Sequence, residues 1–167
     1  SKLDELLLSI MNKADDKVVI WSVYTRSIDE LESRYSKYGM VRIDGTIHSS
    51  ESRTELVKRF QTDRNLRIFL GNPAVAGAGL TLHAAAECVY VSFSNQAAHY
   101  LQSLDRIHRM GQKAPNVRYH FLICRNTIEE AELKRLTDKE RSQKDLLGDR
   151  VAEEFTLEAA LAELGIS

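Results

Sequence analysis

Residues 18–70 read VVIWSVYTRSIDELESRYSKYGMVRIDGTIHSSESRTELVKRFQTDRNLRIFL, and the fold is legible in the order of their patterns. Residues 18–22 are a short apolar run, as a strand buried on both faces requires. Ser27-x-x-Glu30 has the form of a capping box. Ile28, Leu31, Tyr35 and Tyr38 then keep one apolar helical face, which Gly39 closes. Residues 40–43 form a second strand that ends in an Asp44-Gly45 turn. Residues 51–61 form a helix that turns Leu56, Val57 and Phe60 inward, and residues 66–70 are another nearly continuous apolar strand.

The alternation continues on both sides. Upstream, Leu3, Leu6, Leu7, Ile10 and Met11 stand at helical spacing, so residues 3–13 form an amphipathic helix that Asp15-Asp16 ends. Downstream come a Gly/Ala-rich loop with a short helix over 71–86, a strand over 88–93 and a helix over 96–109. A strand over 117–123 and a long helix over 127–147, opened by Thr127-x-x-Glu130, follow. A final helical turn or two spans 157–164. Five strands separated by helices are joined by crossovers, so the fold class is α/β: a three-layer αβα sandwich around a mainly parallel sheet. Ligands of such sheets collect beyond the carboxyl ends of the strands. The informative loops therefore follow Ser22, Ile43, Leu70 and Phe93.

Composition sets the outer bounds. With 167 residues, 43% hydrophobic and 28% charged, the chain is long enough to bury one core. No apolar run reaches the length of a membrane span, and the first residues lack a signal-peptide pattern. The missing initiator Met suggests a piece of something longer. Cys88 and Cys124 both lie in or beside apolar runs and read as buried thiols of a reducing compartment. Net charge is −1, but its distribution is uneven. Residues 98–125 hold five basic side chains against Asp105 alone, and residues 126–167 hold six basic against eleven acidic. A locally basic segment followed by an acidic tail suits phosphate recognition, although taken alone such an asymmetry is more often a solvated face.

Two segments carry chemistry. Residues 72–82, NPAVAGAGLTL, follow the third strand, where small residues let a phosphate or another backbone come close. Residues 102–112, QSLDRIHRMGQ, place Arg106 and Arg109 one turn apart on one side of a helix, with Gln102 one turn earlier. Paired guanidinium groups suit a terminal phosphate. A plain surface ion pair between Asp105 and Arg109 is the rival reading. No phosphate-cradling loop of the Walker type occurs, and the His and Cys residues have no metal-ligand spacing.

The run Gln-x-x-Asp-Arg-x-His-Arg-x-Gly-Gln resembles the last motif of the Swi/Snf family of ATP-dependent DNA translocases. Residues 18–22, the Ile43-Asp44-Gly45 block with Arg53 and Phe60, residues 72–82 and Thr127-Ile-Glu-Glu130 resemble that family's other motifs, in order, from Lys2 to Leu147. The resemblance implies a RecA-like second lobe over 1–147, followed by an acidic helical tail over 148–167. It implies ATP and Mg²⁺ held mainly by a first, N-terminal RecA-like lobe. Arg109, with Arg106 and Gln102, would then act as catalytic arginine-finger machinery, and Gly77 and Gly79 would lie at the nucleotide beside the arginines. Double-stranded DNA of any sequence would be gripped through Tyr24, Thr25, Arg26, Gly45, Thr46, Asn72 and Pro73. The isolated lobe is expected to be inactive.

Ser94-Asn95-Gln96-Ala97 stands where the family often has Asp-Trp-Asn-Pro. Asn72 and Thr81 replace the usual Ser and Asn. These departures suggest a compact, divergent member, cytoplasmic in a prokaryotic or viral parent or nuclear in a eukaryotic one, with a chromatin role not expected. Two alternatives stand beside this reading: a non-hydrolysing DNA- or protein-binding module, and an RNA helicase second lobe. Gln112, in place of the arginine usual in RNA helicases, speaks against the second.

Overall fold

The computed structural model describes residues 1–46, 49–75, 80–92, 103, 106–107 and 111–147. Its elements run α1 (Lys2–Met11), β1 (Val18–Trp21), α2 (Thr25–Tyr35), a 3₁₀ turn (Ser36–Tyr38), β2 (Met40–Ile43), α3 (Ser50–Thr62), β3 (Ile68–Gly71), β4 (Glu87–Tyr90), β5 (Arg118–Phe121) and α4 (Ile128–Leu147). The five strands form one sheet in the order β2-β3-β1-β4-β5, and every pairing is parallel. This is the α/β architecture expected from the alternation.

Period-2 alternation along the strands divides the core into two layers. Val18 and Ile20 of β1, with Ile68 and Leu70 of β3, face Leu7, Ile10 and Met11 of α1 and Ile28, Leu31 and Tyr35 of α2. Val19 and Trp21, with Phe69 and Tyr90, face Phe60 of α3 and Leu133 and Leu136 of α4. Each face of the sheet thus carries its own helices. Burial of each large apolar side chain contributes about 1.5–3 kcal/mol, and Trp21, Phe60, Phe69 and Tyr90 are the largest of those fully buried.

Several local expectations need correction. Helix α1 stops at Met11, before Asp15-Asp16, and Asp15 takes a positive φ of 65° in the turn that follows. The Ser27-x-x-Glu30 capping box is not made. Tyr24, in extended conformation, is the N-cap and gives no side-chain cap, and Glu30 pairs with Arg26 at 3.3 Å instead. The helix starts three residues early, just after Val23, whose N–H donates to Ser92 Oγ at 2.9 Å. Cys88 is buried, and its burial pushes the thiol pKa up, but Cys124 is exposed. It sits where the chain leaves β5 for α4, with its N–H given to Glu129 Oε2 at 2.7 Å. Thr127 does open α4: its hydroxyl accepts from Glu129 N, while Glu130 accepts from Asn126 N.

The expected helix over 96–109, apart from Ser103, Arg106 and Ile107, lies outside the described residues. So do Phe93, the final helical turn over 157–164 and the whole acidic tail.

Candidate functional site

Because all strands are parallel, their carboxyl ends form one edge, and the loops leaving β2, β3 and β1 are neighbours along it. Residues far apart in sequence are thereby placed side by side. Asn72 joins them: its side-chain amide donates to Val23 O at 3.2 Å, its carbonyl side accepts from Ala74 N at 2.9 Å, and its N–H donates to Ile43 O. At the neighbouring strand pair, the Ser22 and Ser92 hydroxyls lie 3.0 Å apart and are both buried.

Around this frame stand the residues picked out for nucleic acid. Tyr24 is 63% exposed, and Thr25 and Arg26 are exposed beside it. Gly45 and Thr46 are exposed after β2, Asn72 is half-buried and Pro73 is buried. Pro73 therefore shapes its turn rather than presenting a side chain to a ligand.

The β2 turn is braced from below by a network that the sequence reading missed. Thr46 donates both its N–H (2.9 Å) and its hydroxyl (2.6 Å) to Asp44 Oδ1. Asp44 Oδ2 accepts from Arg42 Nε at 2.7 Å, and Arg42 reaches on to Glu32 at 2.6 Å and Asp29 at 2.8 Å. Burial alone would raise the Asp44 pKa, but the hydrogen bonds from Thr46 and Arg42 outweigh it and hold the carboxyl below its usual range. The only sequence signal was Asp-Gly-Thr itself, the pattern of an Asx turn. Gly45 has no partner to avoid: a Cβ there would meet nothing within 4 Å.

The two motif segments are tied together. Leu82 N–H donates to Arg106 O at 2.7 Å. Gln112 Nε2 donates to Ala85 O at 2.8 Å and to Ile107 O at 3.3 Å. Gly111, at φ +99°, lies against the His83 ring, which a Cβ would meet at 3.4 Å.

Arg106 itself is only 6% exposed, and its N–H donates to Ser103 O at 3.3 Å in a turn. Of the two arginines expected to project from one side of a helix, Arg106 is buried within the lobe. Arg109, Gln102, Gly77 and Gly79 lie outside the described residues.

Neither buried carboxylate of the described residues is available to a metal. Asp44 is engaged as above, and Glu87 accepts from Arg118 Nε at 2.9 Å and pairs with His120 Nε2 at 2.8 Å. Among the described residues no group of His, Cys, Asp and Glu side chains converges as a metal site.

Comparison with known proteins bears on this arrangement. The model of the family described as "Helicase conserved C-terminal domain" matches residues 1–111, from α1 to the turn at Gly111. The chain belongs to that family. Within it, the relatives are of Swi/Snf type. The lobe is 33% identical over 151 residues to the chromatin-remodeling ATPase INO80 of Candida albicans, covering 89% of this chain and 11% of that protein. It is 33% identical over 162 residues to a SWI/SNF-related matrix-associated actin-dependent regulator of chromatin, subfamily A, containing DEAD/H box 1, of Xenopus tropicalis, covering 96% and 16%. Among solved structures it is similar to the crystal structure of the C-terminal part of the Fun30 ATPase domain. The TM-score is 0.73 at 30% identity, covering 80% of this chain and 43% of that one.

This helicase lobe therefore has under a fifth of the length of these two curated relatives. Both come from eukaryotes, so the expected prokaryotic or viral parent finds no support in them. The reservation about chromatin loses its footing too, because both relatives are named for chromatin.

Proposed function

We propose that the lobe is the second half of an ATP-driven motor on double-stranded DNA, joined in its parent to a first RecA-like lobe. The observation that supports this most is adjacency: the loops after β1, β2 and β3 meet on one edge, and the 81–85 segment, which leads into β4, is bonded to the arginine segment. Tyr24, Thr25, Arg26, Gly45, Thr46 and Asn72 hold the phosphates of one strand, and Pro73 shapes the turn between them. Thr46 already gives both its donors to Asp44, so the β2 turn meets the strand chiefly through the open space over Gly45. Backbone contacts of this kind carry little sequence information, and the motor runs on DNA of any sequence.

Residues of the first lobe would hold Mg²⁺ and ATP, whose hydrolysis would supply the free energy that opens and closes the cleft. Across that cleft Arg109 neutralises charge developing at the γ-phosphate, an effect of about 10³–10⁵ in rate. Gln102, Gly77 and Gly79 would contact the nucleotide when it is bound, and Arg106, being buried, orients the segment. The lobe alone hydrolyses nothing, and residues 148–167 are a separate acidic tail. In keeping with its relatives, the parent acts on chromatin DNA in a nucleus.

The test joins the lobe to the first lobe of its parent and measures ATP turnover with and without duplex DNA. DNA-stimulated turnover is expected. Arg109→Ala is expected to lower it by roughly 10³-fold while duplex affinity stays within about twofold. Unchanged turnover overturns the role of Arg109. A parent without an upstream phosphate loop favours the non-hydrolysing module, and stimulation by RNA in preference to duplex DNA favours the RNA helicase reading.

A further inference from the structure

Gln112 closes the arginine motif, and Gln61, on α3, carries no sequence signal. The structure gives both side chains work on the same short segment. Gln61, on α3, donates through Nε2 to Thr81 O at 2.6 Å and accepts at Oε1 from Ala84 N at 2.8 Å. Its nitrogen also lies 3.4 Å from His83 Nδ1. Gln112 donates to Ala85 O and Ile107 O, and its Oε1 accepts from Ala114 N at 3.0 Å.

Each amide thus uses its donor end and its acceptor end at once. A carboxylate could only accept, and a lysine or arginine could only donate. A neutral side chain with both functions is what the two positions require.

Arg109 lies, in sequence, two residues after Ile107 and two before Gly111. Both of those neighbours are fastened to the 81–85 segment, Ile107 through Gln112 and Gly111 by packing on His83. Gln61 in turn fastens the 81–85 segment to α3.

We infer that Gln61 and Gln112 are positioning residues: they fasten the arginine segment to α3 through residues 81–85, so that all three move as one body. The consequence for turnover rests on the proposed motor function, while the fastening itself rests on the hydrogen bonds alone. A displacement of about 1 Å at a reacting group costs up to roughly 10²-fold in rate.

The test has two arms. In the two-lobed parent, Gln112→Leu and Gln61→Leu are expected to lower kcat by about 10-fold to 100-fold. KM for ATP and the DNA concentration for half-maximal stimulation are expected to stay within about twofold. A merely structural lesion would instead lower thermal stability or weaken both substrates together. In the 167-residue chain, hydrogen exchange at the Leu82 and Ala114 amides is expected to quicken by about tenfold or more in Gln112→Leu, with β1 and β3 amides unchanged. Should a leucine variant fail to fold, Gln61→Glu gives the same kcat split, because it keeps the acceptor for Ala84 and loses the donor to Thr81. Unchanged exchange overturns the fastening. Faster exchange with unchanged kcat overturns the positioning role and leaves the motor function standing. A wild-type parent without DNA-stimulated turnover overturns the motor function and this role with it.

Discussion

The two edges of the sheet differ in how they treat charge. At the amino edge, the charged side chains of Lys17, Arg67 and Glu87 are buried or half-buried and engaged within the lobe. Lys17, just before β1, gives its ammonium to Phe60 O and to Asp63 O (2.7 Å) at the end of α3. Arg67, just before β3, donates to the carbonyls of Ile10, Met11, Lys13 and Asp16 at the end of α1. Glu87, opening β4, holds Arg118 and His120 of β5, with Lys13 3.6 Å away. At the carboxyl edge Asp44 is buried against Arg42, but around it Tyr24, Thr25, Arg26, Gly45 and Thr46 are exposed, and α2 begins without a side-chain cap or an acidic first turn.

Helix direction explains the difference. In a parallel α/β sheet the helices run back against the strands, so their negative ends gather at the amino edge and their positive ends at the carboxyl edge. Cations supplied by the chain neutralise the first set. At the second set, α3 has its own Ser49 cap with Glu51 and α4 has Thr127 with Glu129 and Glu130, so among the described helices α2 is the one whose start is left to an anion from outside. On the proposed function, the amino edge serves stability and the exposed residues of the carboxyl edge serve binding.

Substitutions can break this division. The largest effect is expected at Arg67→Met, which removes the donors to several carbonyls at once. Urea unfolding should show a loss of about 3 kcal/mol, with duplex DNA affinity unchanged. A loss of DNA binding at constant stability would mean that the amino edge also binds.

Next comes acid. Burial would raise the Glu87 pKa, but the hydrogen bonds and charges of His120 and Arg118 outweigh it and hold the carboxyl below its usual range. A carboxyl lowered in the folded state stabilises above its unfolded pKa, and that stability is lost as pH falls through the folded value. The urea midpoint should therefore drop progressively below about pH 4.5, and Glu87→Gln should flatten that dependence.

A smaller effect is expected from Arg26→Ala at the other edge. The urea midpoint stays put, duplex affinity falls by about fivefold on every sequence, and the salt slope shrinks by about one. Gly45→Ala sharpens the comparison most finely. Its Cβ enters open space, so stability holds, and affinity falls by about twofold to threefold if the phosphate backbone approaches there. Equal affinity would move the DNA path away from the β2 turn.

The sequence by itself determined the alternation of strands and helices, the parallel sheet and the family. Those follow from local periodicity and from motif order, both of which survive without knowing any long-range contact. It also marked residues 18–22, Trp21 among them, as a buried strand, because a residue's place within an apolar run is a local property. What only the tertiary structure decided were matters of partnership. Nothing in Arg106-x-x-Arg109 announces that Leu82 bonds the Arg106 carbonyl and that Arg106 is packed away, and nothing near Gln61 points to residues 81–85. Arg42 and Asp44 stand two apart, yet only the folded chain brings Asp29 and Glu32 of α2 to the same guanidinium. Hydrogen-bond partners distant in sequence leave no period behind, so three-dimensional packing alone assigns them.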